Sequence, residues 1–190
     1  MPVTELDPKT ALVIIDLQKG VVALQAAHPM DGVIAKSREL ADAFRAYGLP
    51  VVLVNVSGAP SGRTERNRGA AGGAQRPEGW DILIDELGQQ PTDHPVTKYT
   101  RGAFTGTDLE EYLKGEGVTQ IVLTGVATSS GVESTARHAH ELGFNVTLAT
   151  DAMTDMSAES HDNSVQRVFP GLGETGTTDE ILALLASSRR

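Results

Sequence analysis

Val118-Thr-Gln-Ile-Val-Leu-Thr-Gly-Val-Ala-Thr-Ser-Ser-Gly-Val-Glu-Ser-Thr-Ala-Arg-His-Ala-His-Glu-Leu142 is the stretch on which the fold turns. Val118 to Thr124 is a nearly unbroken apolar and β-branched run, which suits a strand buried on both faces. Gly125-Val-Ala-Thr-Ser-Ser-Gly131 has turn composition. From there to about Leu142 the chain reads as a helix, stopped by Gly143, with Ser130 and Glu133 at capping-box spacing. Strand, short turn and helix in that order form the front half of a βαβ unit.

The same alternation extends in both directions. Ala11-Leu-Val-Ile-Ile15 is an apolar run ending at Asp16; Pro50 to Val56, His94 to Thr97 and Asn145 to Ala149 are further runs. Between them, Val33, Ile34, Leu40, Phe44 and Tyr47 form one stripe of a helix over Asp31 to Tyr47, with Gly48 as its stop. Thr107-Asp-Leu-Glu110 and Thr177-Thr-Asp-Glu180 have capping-box spacing, the first opening a helix to about Lys114. Ser157 to Phe169 reads as another helix. Strands alternating with helices predict an α/β fold, a three-layer α/β/α sandwich around a mostly parallel sheet. The chain has 190 residues, which suits a single domain over 1–190. The one long irregular stretch is Ser57 to Trp80, which carries Arg63, Arg66, Arg68 and Arg76. A loop of that length inside a compact domain is commonly functional.

Composition narrows the partners. Net charge is −9, so nucleic acid and anionic membranes are not expected as partners. No apolar run approaches the roughly 20 residues that span a bilayer. The first ten residues carry no basic-then-apolar leader, so a cytoplasmic location is expected. With no cysteine in the chain, disulfides, zinc–thiolate sites and thiol nucleophiles are excluded.

In open α/β sheets ligands gather at the carboxyl ends of the strands. Asp16 ends the first run, Lys98 follows the third, and the 125–131 turn feeds a helix start that presents backbone N–H groups. A carboxylate, an ammonium and a donor-rich turn in one cleft would suit acid–base chemistry with oxyanion stabilisation. Asp16 as a plain turn acceptor and Lys98 as a solvated surface lysine are the structural alternatives.

These residues also carry a family resemblance. Thr10 to Gln18 resembles the opening strand of the isochorismatase-like (cysteine hydrolase) superfamily, with its D-x-Q ending. Lys98-Tyr-Thr-Arg-Gly-Ala-Phe-Thr-Gly-Thr-Asp-Leu109 is similar to that superfamily's lysine segment. Val122 to Arg137 is similar to its G-V-A-T-x-x-C-V-x-x-T-A signature, and Thr150-Asp-Ala152 and the His161 region continue the match. The resemblance implies an Asp, Lys, Cys triad. Asp16 and Lys98 match, but Gly131 stands at the nucleophile position, so the covalent thiol route is closed. It also implies a cis Val126–Ala127 peptide. Gln18, Phe104, Ala127 and Gly131 are the candidate substrate-binding residues. Asn55-Val-Ser57 stands where metal-binding relatives carry Asp-x-His, and Asn and Ser are poor transition-metal ligands. No catalytic metal and no cofactor are expected.

The expectation is a cofactor-free hydrolase of a small anionic molecule, with Asp16 as general acid/base and Lys98 holding it. The rival is a non-catalytic binding protein that has lost its nucleophile. Gln18 could orient a ligand or cap the loop. Ser130 reads more simply as a helix cap than as a nucleophile. Phe104 and Trp80 could wall the pocket or pack the core. Any of the loop arginines could grip a substrate carboxylate. Glu133 and Arg137 suit an exposed i,i+4 pair. His138, His140 and His161 suit packing or surface roles, and His94 reads as a loop residue. The resemblance further implies a homo-oligomer, a dimer or tetramer.

Overall fold

The computed structural model describes residues 2–60, 62–65 and 76–188. Arg66 and Arg68, two of the loop arginines, lie outside them. Among the described residues six strands form one sheet in the order β3-β2-β1-β4-β5-β6. They are β1 (Thr10–Ile15), β2 (Val51–Val56), β3 (His94–Lys98), β4 (Gln120–Val126), β5 (Asn145–Thr154) and β6 (Glu174–Gly176). Every adjacent pair is parallel. The helices are α1 (Lys19–Val22), α2 (Met30–Ala46), α3 (Leu109–Gly115), α4 (Glu133–Glu141), α5 (Ala158–Asn163) and α6 (Thr178–Ser187).

The sheet is apolar on both faces because helices cover both. Ala11, Val13 and Ile15 of β1 point into one core with Leu113 of α3 and Ala136 of α4. Leu12 and Ile14 point into the other with Leu40 and Phe44 of α2 and Leu185 of α6. Alternation along the strand therefore divides one apolar run between two cores. β6 and α1 were not anticipated, since three strand residues or a single helical turn leave no periodic pattern to read. His94 is the first residue of β3 rather than loop. Its ring stacks on Tyr112 at 3.7 Å and its Nε2 lies 3.1 Å from Asp108.

Of the anticipated capping boxes, Thr177–Glu180 is present in full at the start of α6. Thr107–Glu110 is not: the Thr107 hydroxyl donates to the Ala103 carbonyl and accepts the Leu109 N–H rather than that of Glu110, and Asp108 precedes α3 without a side-chain cap. Ser130–Glu133 is not one either. Residues Thr128–Val132 wind as a wide π turn ahead of α4, with the Val132 N–H donating to the Ala127 carbonyl. Ser130 therefore sits inside the helical path, and the Glu133 carboxylate binds Arg137 and Ser164 instead.

The strand order reverses direction between β1 and β4. β2 and β3 lie to one side of β1, while β4, β5 and β6 lie to the other. A crevice opens outside the carboxyl ends of the strands at such a switch point. β1 and β4 approach closely there. A Cβ on Gly125 would lie 2.0 Å from the Ile15 carbonyl oxygen, and its φ is +111°, so only glycine fits.

Candidate active site

The two strands at the switch point deliver the two sides of the cleft. β1 ends at Ile15, and Asp16 follows in the left-handed region, φ +53°. Asp tolerates that region better than most residues. Asp16 donates its backbone N–H to the Val54 carbonyl, and its own carbonyl accepts the Gln18 N–H. β4 ends at Val126, and the Val126–Ala127 peptide is cis, as the resemblance implied.

Lys98, at the end of β3, lies two strands away from β1. Adjacent strands are about 4.8 Å apart, so only a long side chain spans that offset. Its ammonium reaches Asp16 Oδ2 at 2.8 Å and donates to the Thr100 carbonyl at 3.3 Å. Lys98 is 1% exposed and Asp16 6%. Neither is the solvated or turn-capping group that the structural alternatives allowed. Burial pushes the Asp16 carboxyl up to about 6, with Lys98 pulling against it and Arg76 adding a weaker pull. The second oxygen, Oδ1, is buried and has no hydrogen-bond partner among the described residues.

Asp16 and Lys98 open into a cleft of about 700 Å³ that Ala127, Ser130 and Gly131 also line. Gly131 has no left-handed φ. A Cβ there would lie 3.3 Å from Asp16 Oδ2, 3.4 Å from the Val126 carbonyl and 2.9 Å from Cγ2 of Ile15. The position is thus hemmed in by the carboxylate and by Ile15, and a side chain enters it only if Ile15 gives way. Val21, Leu24, Val56 and Met156 supply an apolar wall, and Arg63 and Arg101 line the same cleft. With Asp16 and Lys98 offsetting one another, the arginines leave the lining net positive.

Other expected residues stand elsewhere. Gln18 is fully buried and clamps the strand ends: its Oε1 accepts the Val56 N–H, and its Nε2 donates to the Val56 and Trp80 carbonyls. It caps the loop and is not part of the cleft lining. Phe104 is in the core, its ring 6.1 Å from Phe144 and 5.4 Å from His138. Trp80 lies under the Arg76 guanidinium, at 3.9 Å, and over Gly20. Asn55 and Ser57 hold the segment that carries Asp81. Among the described residues no group of three or more His, Asp or Glu side chains is placed to hold a metal ion. No helix among them is long and apolar enough to cross a membrane.

Two residues that sequence reasoning passed over or left as packing stand behind the turn. Asp155, just past β5, accepts the Ser129 N–H at 2.7 Å and the Ser129 hydroxyl at 2.8 Å. Its position at a strand's carboxyl end, like that of Asp16, was the available signal. His161 meets the Thr128 hydroxyl at 2.8 Å. Burial, and next the adjacent His28, hold its imidazole below the usual range.

Comparison with known proteins gives the family and the fold. The isochorismatase domain family matches residues 10–180. YwoC of Bacillus subtilis, an isochorismatase family protein, is 42% identical over 92% of this chain and 93% of its own. The ureidoacrylate amidohydrolase RutB of Pseudomonas syringae pv. syringae is 30% identical over 76% of this chain and 70% of its own. The solved structure of an isochorismatase family protein from Burkholderia thailandensis superposes with a TM-score of 0.88 at 40% identity, covering 96% of this chain and 98% of that one.

Proposed function

We propose that this chain, which belongs to the isochorismatase family, is a hydrolase that cleaves a small anionic molecule without a covalent enzyme intermediate. The observation that carries the reading is the buried Asp16–Lys98 pair lining the cleft at the sheet's switch point. Hydrolytic relatives such as RutB support the reaction type. Gly131 stands for the nucleophile in this reading, and the chain has no cysteine to replace it.

The chemistry follows from the arrangement. An Asp16 carboxyl with a pKa of about 6 is mostly ionised at neutral pH but still protonated in about one molecule in ten. It can therefore take a proton from water and return it to a leaving atom. Water's oxygen forms the new bond to carbon, and the leaving group departs with the proton. Lys98 keeps the carboxylate oriented and stabilises negative charge that develops beside it. The turn at Ala127 and Gly131 lines the cleft beside Asp16 and Lys98, and no side chain of Gly131 stands between its backbone and the reacting atoms. Arg63 and Arg101 suit a substrate carboxylate, since guanidinium forks match carboxylates. The apolar wall suits the rest of a small organic acid.

An intact charge pair facing a cleft of this size supports an enzyme over a binding protein that has lost its nucleophile. The deciding experiment screens isochorismate, other vinyl ethers, amides and N-carbamoyl compounds, with Asp16→Asn as control. Turnover abolished in Asp16→Asn supports the reading; turnover unaffected by it removes Asp16 from the chemistry. A homo-oligomer, dimer or tetramer, is part of the same proposal, and a light-scattering mass at the 20.1 kDa of one chain would end it.

A further inference from the structure

We propose that Asp155 is the positioning residue of the cleft, holding three of its walls in register from behind. The inference rests on the reading of the cleft as the reaction site. Asp155 is 6% exposed, and no cation pairs with it among the described residues. Its charge is met by hydrogen-bond donors. Oδ2 accepts the N–H and hydroxyl of Ser129, at 2.7 and 2.8 Å. Oδ1 accepts the N–H groups of Met156 and Ser157, at 2.8 and 3.3 Å. Its backbone carbonyl accepts the Ala27 N–H at 2.8 Å.

Each of those contacts leads to a different part of the cleft. Ser129 lies in the turn that presents Ala127, Ser130 and Gly131. Met156 itself lines the cleft. Ala27 belongs to the loop between α1 and α2 that carries Leu24, another lining residue. The neighbouring contacts reinforce the same join: the His28 N–H donates to the Thr154 hydroxyl, and the His28 and His161 rings lie 4.6 Å apart. Thus one buried carboxylate ties the turn, the end of β5 and the α1–α2 loop together.

The donor count explains why a carboxylate is required. Four donors converge on two oxygens, and only an ionised carboxyl offers acceptor sites on both oxygens and no hydrogen of its own. An amide would aim its NH₂ at one pair of donors. Asp155→Asn therefore turns its NH₂ on backbone N–H donors, at the least on that of Ser129, whose hydroxyl alone can rotate to accept. Ser129→Ala removes a single donor and keeps the carboxylate.

A thiol placed at Gly131 reports the position of the turn without needing a substrate. In Gly131→Cys protein, the pH midpoint of alkylation by iodoacetamide reads how strongly the turn's N–H groups and Lys98 favour the thiolate. Loss of the Asp155 charge alone would lower the midpoint slightly; the expected result, from displacement of the turn, is instead an upward shift of about one pH unit toward the free-thiol value when Asp155→Asn is added. Ser129→Ala should give a smaller shift that is less than additive with Asp155→Asn, because both weaken the Ser129–Asp155 contact. Midpoints unchanged in folded protein, or shifts that simply add, would overturn the assignment. If Asp155→Asn fails to fold, Ser129→Ala alone decides, since a role confined to folding predicts a lower melting temperature with an unmoved midpoint. Failure of the hydrolase reading shows separately, as no turnover of any screened compound by the wild-type protein.

Discussion

Lys98→Met isolates the charge pair at the centre of the cleft. Methionine keeps most of the buried stem and removes the ammonium that sits 2.8 Å from Asp16. In the wild type, Asp16 is raised from 3.8 to about 6 on folding, which at 1.36 kcal/mol per unit corresponds to about 3 kcal/mol. Its folded value lies above its unfolded one. Stability from this group is therefore fully present below pH 3.8 and lost as pH rises through about 6. Without Lys98 the folded value climbs further, so the loss continues to higher pH. Removing one partner of a buried pair costs about 3–5 kcal/mol while the other remains charged. At pH 8 that full difference should separate the two proteins. At pH 5 the variant's Asp16 is protonated in the folded state, and the difference should shrink to about 1 kcal/mol, the scale of a lost hydrogen bond. Urea titrations of both proteins across pH 5 to 8 measure this directly, provided the m-values agree. A stability difference constant across that range would refute the coupling, and so would a variant as stable as wild type at pH 8.

Gly131→Cys should fold at a cost of about 1–2 kcal/mol, because its Cβ must ease past Ile15 Cγ2 at 2.9 Å; its thiol should alkylate with a pH midpoint below 8.5 that rises when Lys98→Met is added, and an unperturbed midpoint would show the site geometry to be wrong. Gln18→Ala should lower stability by about 1–3 kcal/mol by orphaning the Val56 N–H, and it should disturb substrate binding only as far as it loosens the strand ends; a variant as stable as wild type in urea counts against the clamp. Phe104→Leu should destabilise by about 1 kcal/mol yet leave KM for any substrate found unchanged, whereas a selective rise in KM would return Phe104 to the pocket.

The alternation of apolar runs with capped, amphipathic segments was sufficient to predict a parallel α/β sandwich, because burial on two faces demands unbroken β-branched strands. Local spacing predicted the Thr177 cap correctly and the Ser130 cap wrongly. A capping box is decided by whether the backbone N–H groups are still free, and the wide turn at Thr128–Val132 had already started the helix. Phe104 and Gln18 show the same limit. Their neighbours in sequence point to the site, but a side chain's direction depends on packing against residues far along the chain, such as Phe144 and Val56.

From sequence alone, then, came the fold class, the absence of any thiol and the candidacy of Asp16 and Lys98. Tertiary structure decided that those two residues meet, since they lie 82 positions apart in the chain and on strands separated by β2. It also decided the protonation behaviour of Asp16, because desolvation depends on what surrounds a group and not on what precedes it. Asp155 gained its place behind the cleft for the same reason: its donors come from the turn after β4 and from its own loop, while a third segment hangs on its carbonyl, and only the assembled sheet brings them within hydrogen-bond reach.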